Sequence, residues 1–190
     1  MRQRSPFLYM VLGLSLAAFN LFLADYFRGI EDQLPSVAFT TPNWFFITKP
    51  VYNWGGFFVD GSAPTLHRLP TVVFLIWLSI LLTRYLRTQR SFIQSASAAI
   101  LLGGVGGLTL DILAFGSVCD WLGFHVPNAS IFSQLNLSDL MILLAAPVAA
   151  IVCPQKIWLR FICFAAAFLV IAANSYYHVV ALSHWVTSAY

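Results

Sequence analysis

Two carboxylates, Asp120 and Asp139, each border an apolar stretch in a chain where charge is scarce. Like charges brought together in a dry site cannot both ionise cheaply, so one acid keeps its proton while its partner acts as base. That combination suits hydrolysis, in which one carboxylate takes a proton from water and the other, protonated, polarises a carbonyl. Neither aspartate is assigned as acid or base, because a coupled pair shares its titration. Asp139 also has a purely structural account. Asn136 can cap a following helix, placing Asp139 in the first turn, where the helix dipole favours a carboxylate.

Composition dictates the elements that must position this pair. Of 190 residues, 59% are hydrophobic and only 9% charged, which fits an integral membrane protein and not an ordinary soluble domain. Five apolar stretches can be marked, over residues 7–27, 69–86, 95–115, 137–153 and 157–185. The expected fold is all-α. It is a polytopic membrane bundle of four core transmembrane helices plus a fifth C-terminal helix at 157–185, forming one membrane domain over 1–190. Residues 29–68 form an excursion between the first two helices, rich in aromatic residues such as Trp44, Tyr52, Trp54 and Phe57. Amphipathic rings of this kind suit the membrane interface, so the excursion reads as a small extracytoplasmic loop domain.

Basic residues orient the bundle. If every stretch spans, Arg2, Arg4, Arg84, Arg87, Arg90, Lys156 and Arg160 share one side, leaving Arg28, Lys49 and Arg68 on the other. The positive-inside bias then places the N-terminus in the cytoplasm and both aspartates near the outer face. The first apolar run is longer than the core of a cleaved signal and is followed by further spans, so it reads as a retained anchor helix.

Other chemistries find little support. Cys119, Cys153 and Cys163 lack CxxC spacing, and His67, His125, His178 and His184 are scattered without a zinc-binding pattern, so no metal is expected. There is no phosphate-binding GxxxxGK[ST] loop and no dense basic patch, which disfavours nucleotide hydrolysis and nucleic-acid binding. Gly103, Gly104, Gly106 and Gly107 permit close helix approach in a membrane. Asp111 lies beyond them, near a helix C-terminus where the dipole is unfavourable, so it should want a cation, a donor or a proton, although the sequence names no partner.

In order along the chain, these residues resemble the bacterial lipoprotein signal peptidases, or signal peptidase II. Gly103 to Asp111, followed by Gly116, Ser117, Val118, Cys119, Asp120 and Trp121, resembles the family's glycine-rich block and first catalytic aspartate. Leu135 to Asp139 resembles the block carrying the second. Asn53 to Phe58 is similar to an asparagine-glycine-phenylalanine motif, and Asp25 occupies the place of an acidic residue at the end of the first helix. The departures are Leu108 and Ile112, where the family usually has asparagine and arginine, Leu140 in place of a serine, and the fifth helix.

The resemblance implies an aspartic endopeptidase of the bacterial inner membrane, with Asp120 and Asp139 catalytic and no metal or organic cofactor. Its partners would be membrane lipid and a lipid-modified prolipoprotein, cleaved just before the lipidated cysteine. It further implies substrate-binding roles for Asn53, Asn136, Asp25 and Gly104, the asparagines donating to the substrate backbone or orienting the dyad. If Leu108 and Ile112 reflect lost polar supports, installing Asn and Arg there should raise activity. The alternative is a non-catalytic relative that binds lipoproteins or partner helices, favoured by Leu108 and Ile112 and disfavoured by retention of both aspartates.

Overall fold

The computed structural model describes residues 5–35, 45–53, 64–88, 91–126 and 131–152. Helix α1 (Pro6–Gly29) begins where Ser5 accepts a hydrogen bond from the Phe7 N–H, with Pro6 in the first turn, where no backbone donor is needed. Helix α2 (Pro64–Thr88) extends the expected second stretch at both ends. Helix α3 (Phe92–Phe115) stops at Gly116, whose φ of 76° is a left-handed conformation natural to glycine. Helix α4 (Leu137–Val152) carries Pro147 inside it. The expected fifth helix at 157–185 lies outside the described residues.

Helix α3 is the central element, packing against α1, α2 and α4. Its small residues explain why. A Cβ on Gly103 would stand 2.7 Å from Leu16 Cβ, and a Cβ on Gly104 would stand 2.8 Å from the Ser138 carbonyl oxygen. These glycines therefore let α1 and α4 approach the α3 backbone, as small residues do between membrane helices. The apolar core includes Leu78 and Leu82 from α2, Ala99, Leu102 and Val105 from α3, and Ile142 and Ala146 from α4. Conversely, Phe7, Leu14 and Phe22 of α1, Leu69 and Val73 of α2 and Leu144 and Ile151 of α4 are exposed. Large apolar side chains turned outward along several helices suit a lipid surround, since a water-soluble monomer rarely shows so much contiguous apolar surface. Among the described helices, α1 and α3 are long and apolar enough to cross a bilayer, while α4 is a shorter apolar helix.

The all-α expectation requires a correction. A three-stranded antiparallel sheet in the order β1 (Phe45–Asn53), β2 (Val118–Val126), β3 (Ile131–Leu135) accompanies the helices. Leu122 pairs with both Ile47 of β1 and Leu135 of β3. Strand β1 lies at the edge, and its register shifts between Ile47 and Val51, around Pro50, which lacks an N–H for the ladder. The excursion thus contributes one strand, and the connection between α3 and α4 supplies the other two. Sequence patterning misses this because residues 118–126 lack strong alternation and β2 pairs with β1, far away in the chain. Trp121 stacks on Phe27 of α1 at 4.1 Å, anchoring the sheet to the end of that helix. The Tyr52 hydroxyl donates to Glu31, tying β1 to the short helical turn Glu31–Gln33.

Candidate functional site

Asp120 sits on the central strand β2, not at a helix end as the apolar boundaries suggested. Asp139 is in the first turn of α4. Strand β3 ends at Leu135, opposite Leu122, so the next residue, Asn136, turns into α4 beside the strand that carries Asp120. This short return connection brings two chain-distant carboxylates to one place.

Asn136 joins them. Its Nδ2 donates to Asp120 Oδ1 at 2.7 Å. Its backbone N–H donates to Asp139 Oδ2 at 3.1 Å, while its Oδ1 accepts the Asp139 N–H at 3.0 Å. The last two bonds form a reciprocal capping box. The cap foreseen from the sequence is therefore present, and the capping residue also contacts the other aspartate. Asp120 and Asp139 are each only 6% exposed and Asn136 is 1% exposed, so these bonds are shielded from water. In each carboxylate one oxygen accepts from Asn136, and among the described residues the other oxygen has no hydrogen-bond donor. Burial, reinforced by the Asp139 charge, pushes the Asp120 carboxyl well above the usual carboxylate range, although the Asn136 hydrogen bond opposes this.

The N-terminus of α4 is held from α1 as well. Asn20, a lone amide in an apolar helix and 1% exposed, accepts the Ser138 N–H at 3.1 Å through Oδ1. This satisfies one of the donors that a helix start leaves unpaired. Gly107 makes the arrangement possible, because a Cβ there would stand 2.3 Å from Ser138 Oγ and 2.9 Å from Asn20 Nδ2.

Asp111 has the cation that the sequence could not name. Arg28, at the end of α1, pairs with it at 2.6 Å, and Asp111 also accepts the Cys119 N–H at 2.8 Å. Cys119 is no candidate nucleophile, since burial pushes its thiol up to about 12. Leu108 packs against the apolar core and Ile112 is buried within it.

Gly104, Asn53 and Asp25 lie on α3, β1 and α1. Gly104 packs against the α4 backbone, with Ile142 and Met141 also close. Asn53 ends β1, paired in register with Val118. Asp25 is exposed on α1, whereas its neighbours Ala24 and Phe27 are buried with Cys119 and Trp121. The residues expected at the site include neither Asn20 nor Arg28. An amide isolated in an apolar run was the available signal for Asn20; for Arg28, a basic residue at a helix C-terminus is too common to stand out.

The family model described as Signal peptidase (SPase) II matches residues 19–154. The chain belongs to the signal peptidase II family. A lipoprotein signal peptidase from Sinorhizobium fredii is 30% identical over 129 residues, covering 66% of this chain and 71% of the relative. One from Halothermothrix orenii is 31% identical over 96 residues, covering 50% of this chain and 61% of that protein. Two solved bacterial membrane enzymes share the fold. One is 16% identical with a TM-score of 0.55, covering 75% of this chain and 87% of its own, and the other is 14% identical with a TM-score of 0.56, covering 78% and 93%. The matched region contains α1 from Phe19 onward, the sheet, α2 to α4 and both aspartates.

Proposed function

We propose that this signal peptidase II family member is an intramembrane aspartic endopeptidase that removes signal peptides from lipid-modified bacterial prolipoproteins. The observation that carries the reading is the buried asparagine hydrogen-bonded to two carboxylates from different elements. At rest the pair shares one proton, as the burial of Asp120 beside the Asp139 charge favours. Asp139, which accepts a backbone N–H at the start of α4, is the carboxylate that takes a proton from the attacking water. Asp120 donates to the scissile carbonyl oxygen as the tetrahedral intermediate forms. Asp139 then passes its proton to the amide nitrogen while a hydroxyl of the intermediate returns one to Asp120, so the C–N bond breaks, the signal peptide leaves with a new carboxyl end, the lipoprotein keeps a free amine and the pair is restored.

The enzyme sits in the bacterial inner membrane with its N-terminus in the cytoplasm and the pair near the outer interface. There a substrate anchored by its own lipid presents the bond beside the lipidated cysteine. Asn136 keeps the carboxylates aligned, Asn53 donates to the substrate backbone, and Asp25 helps position the substrate at the rim. Gly104 serves the substrate site indirectly, by letting α4 approach α3. The test is cleavage of a diacylglyceryl-modified peptide by detergent-solubilised protein carrying Asp120→Asn or Asp139→Asn. Loss of turnover in both variants supports the mechanism. Wild-type turnover in either removes the dyad and leaves a non-catalytic binding role as the better account.

A further inference from the structure

The Arg28–Asp111 pair touches neither carboxylate of the dyad, yet it grips the turn that delivers one of them. Arg28 Nη1 donates to Asp111 Oδ1 at 2.6 Å, and Nη2 donates to the Ser117 carbonyl at 2.7 Å. From the other side, Asp111 Oδ2 accepts the Cys119 N–H at 2.8 Å. The grip therefore holds the backbone on both sides of Val118, immediately before Asp120. The turn begins at Gly116, in the left-handed conformation, a position whose freedom makes an external restraint valuable. Arg28 is itself held in place. Its Cζ lies 4.0 Å from the Phe115 ring centroid and 5.7 Å from that of Tyr52, so α3 and β1 flank the guanidinium.

The pair is largely dry, with side chains 15% and 1% exposed for Arg28 and Asp111. Buried ion pairs are poor sources of net stability, because desolvation offsets much of their attraction and apolar replacements often serve as well. What apolar residues cannot supply is a forked donor that fixes a carbonyl and a carboxylate together. We infer that Arg28 and Asp111 are positioning residues for peptide cleavage. They set the entry of β2 so that Asp120 meets Asn136 and the dyad is assembled before substrate arrives. This inference rests on the reading of Asp120 as a catalytic residue.

The experiment compares Arg28→Lys and the double variant Arg28→Met/Asp111→Leu with Asp120→Asn, using a diacylglyceryl-modified peptide in detergent micelles. Thermal unfolding is followed on each sample. Lysine keeps the charge but loses the fork, so kcat falls about ten-fold with KM within about two-fold of wild type. The double variant removes both charges without stranding either. It still folds, with an unfolding temperature lowered because the Ser117 carbonyl and the Cys119 N–H lose their partners, and kcat falls about a hundred-fold, the size of effect expected when a reacting group is misplaced by about 1 Å. If Asp120→Asn abolishes turnover while Arg28→Lys or the folded double variant keeps wild-type kcat, the positioning role is overturned and the catalytic reading survives. A rise in KM alone would also overturn it, assigning the pair to substrate binding. If Asp120→Asn itself turns over normally, the catalytic reading fails first and takes this inference with it.

Discussion

Asn136 performs two separable tasks, and substitution can divide them. As the N-cap of α4 it accepts the Asp139 N–H, and as a bridge it donates Nδ2 to Asp120. Serine is nearly as good a cap as asparagine but is shorter and offers no amide donor to reach Asp120. Asn136→Ser should therefore keep the helix start and lose the bridge. Asp120 becomes a carboxylate as the intermediate forms, and a hydrogen bond to a charged group contributes about 1.5–3 kcal/mol. If the bridge holds the dyad in its reacting geometry, kcat falls about ten- to a hundred-fold, at roughly 1.4 kcal/mol for each factor of ten. Asn136→Ala loses the cap as well and costs a further ~0.5–2 kcal/mol of stability. The assay pairs thermal unfolding in detergent with turnover of a lipid-modified peptide. The two variants should differ in stability while sharing a similar loss of kcat. Wild-type kcat in Asn136→Ser would refute the reasoning, because capping would then be the whole role of the residue.

Other perturbations follow from the same geometry. Gly104→Ala forces a methyl group to within 2.8 Å of the Ser138 carbonyl oxygen and should lower stability by about 1–3 kcal/mol, measured by thermal unfolding. A raised KM with unchanged stability would instead mark a direct substrate contact. Ile112→Arg places a charge in the apolar core and should destabilise the protein by several kcal/mol, contrary to the gain in activity expected from sequence; higher turnover in a stable variant would reverse this conclusion. Because the folded-state pKa of Asp120 is raised, the folded protein retains a proton that the unfolded chain releases. Its contribution to stability is complete below the ordinary carboxyl range and is lost as pH rises through the raised value. Unfolding measured across pH should show that decline, and Asp120→Asn should flatten it.

The helical scaffold was legible because lipid-compatible stretches must be long and nearly uncharged; α1, α2 and α3 extend the first three expected stretches, while α4 keeps nearly the bounds of the fourth. The sheet was less legible. Residues 118–126 mix Asp120, Gly123 and His125 with apolar residues and carry no strong alternation, and their pairing depends on β1, far away in sequence. At the site, Asn136 and Asp139 could be read as a cap because capping is local. Their proximity to Asp120 depends on the return of β3 alongside β2, a tertiary arrangement that no local spacing specifies. Arg28 was equally hidden, since ion pairing across the bundle leaves no periodic trace. The same structure packs Gly104 against α4 and leaves Asp25 exposed on α1, placements that the motif alone does not specify.

The central claim, a single proton held between two buried aspartates, is most directly tested by infrared titration of the intact protein in detergent. Wild type should show a carboxylic-acid band persisting to neutral pH. That band should be absent in Asp120→Asn and should titrate away at lower pH in Asp139→Asn, where the neighbouring negative charge is gone. A spectrum with no protonated aspartate at neutral pH, or a band unaffected by either substitution, would contradict the account.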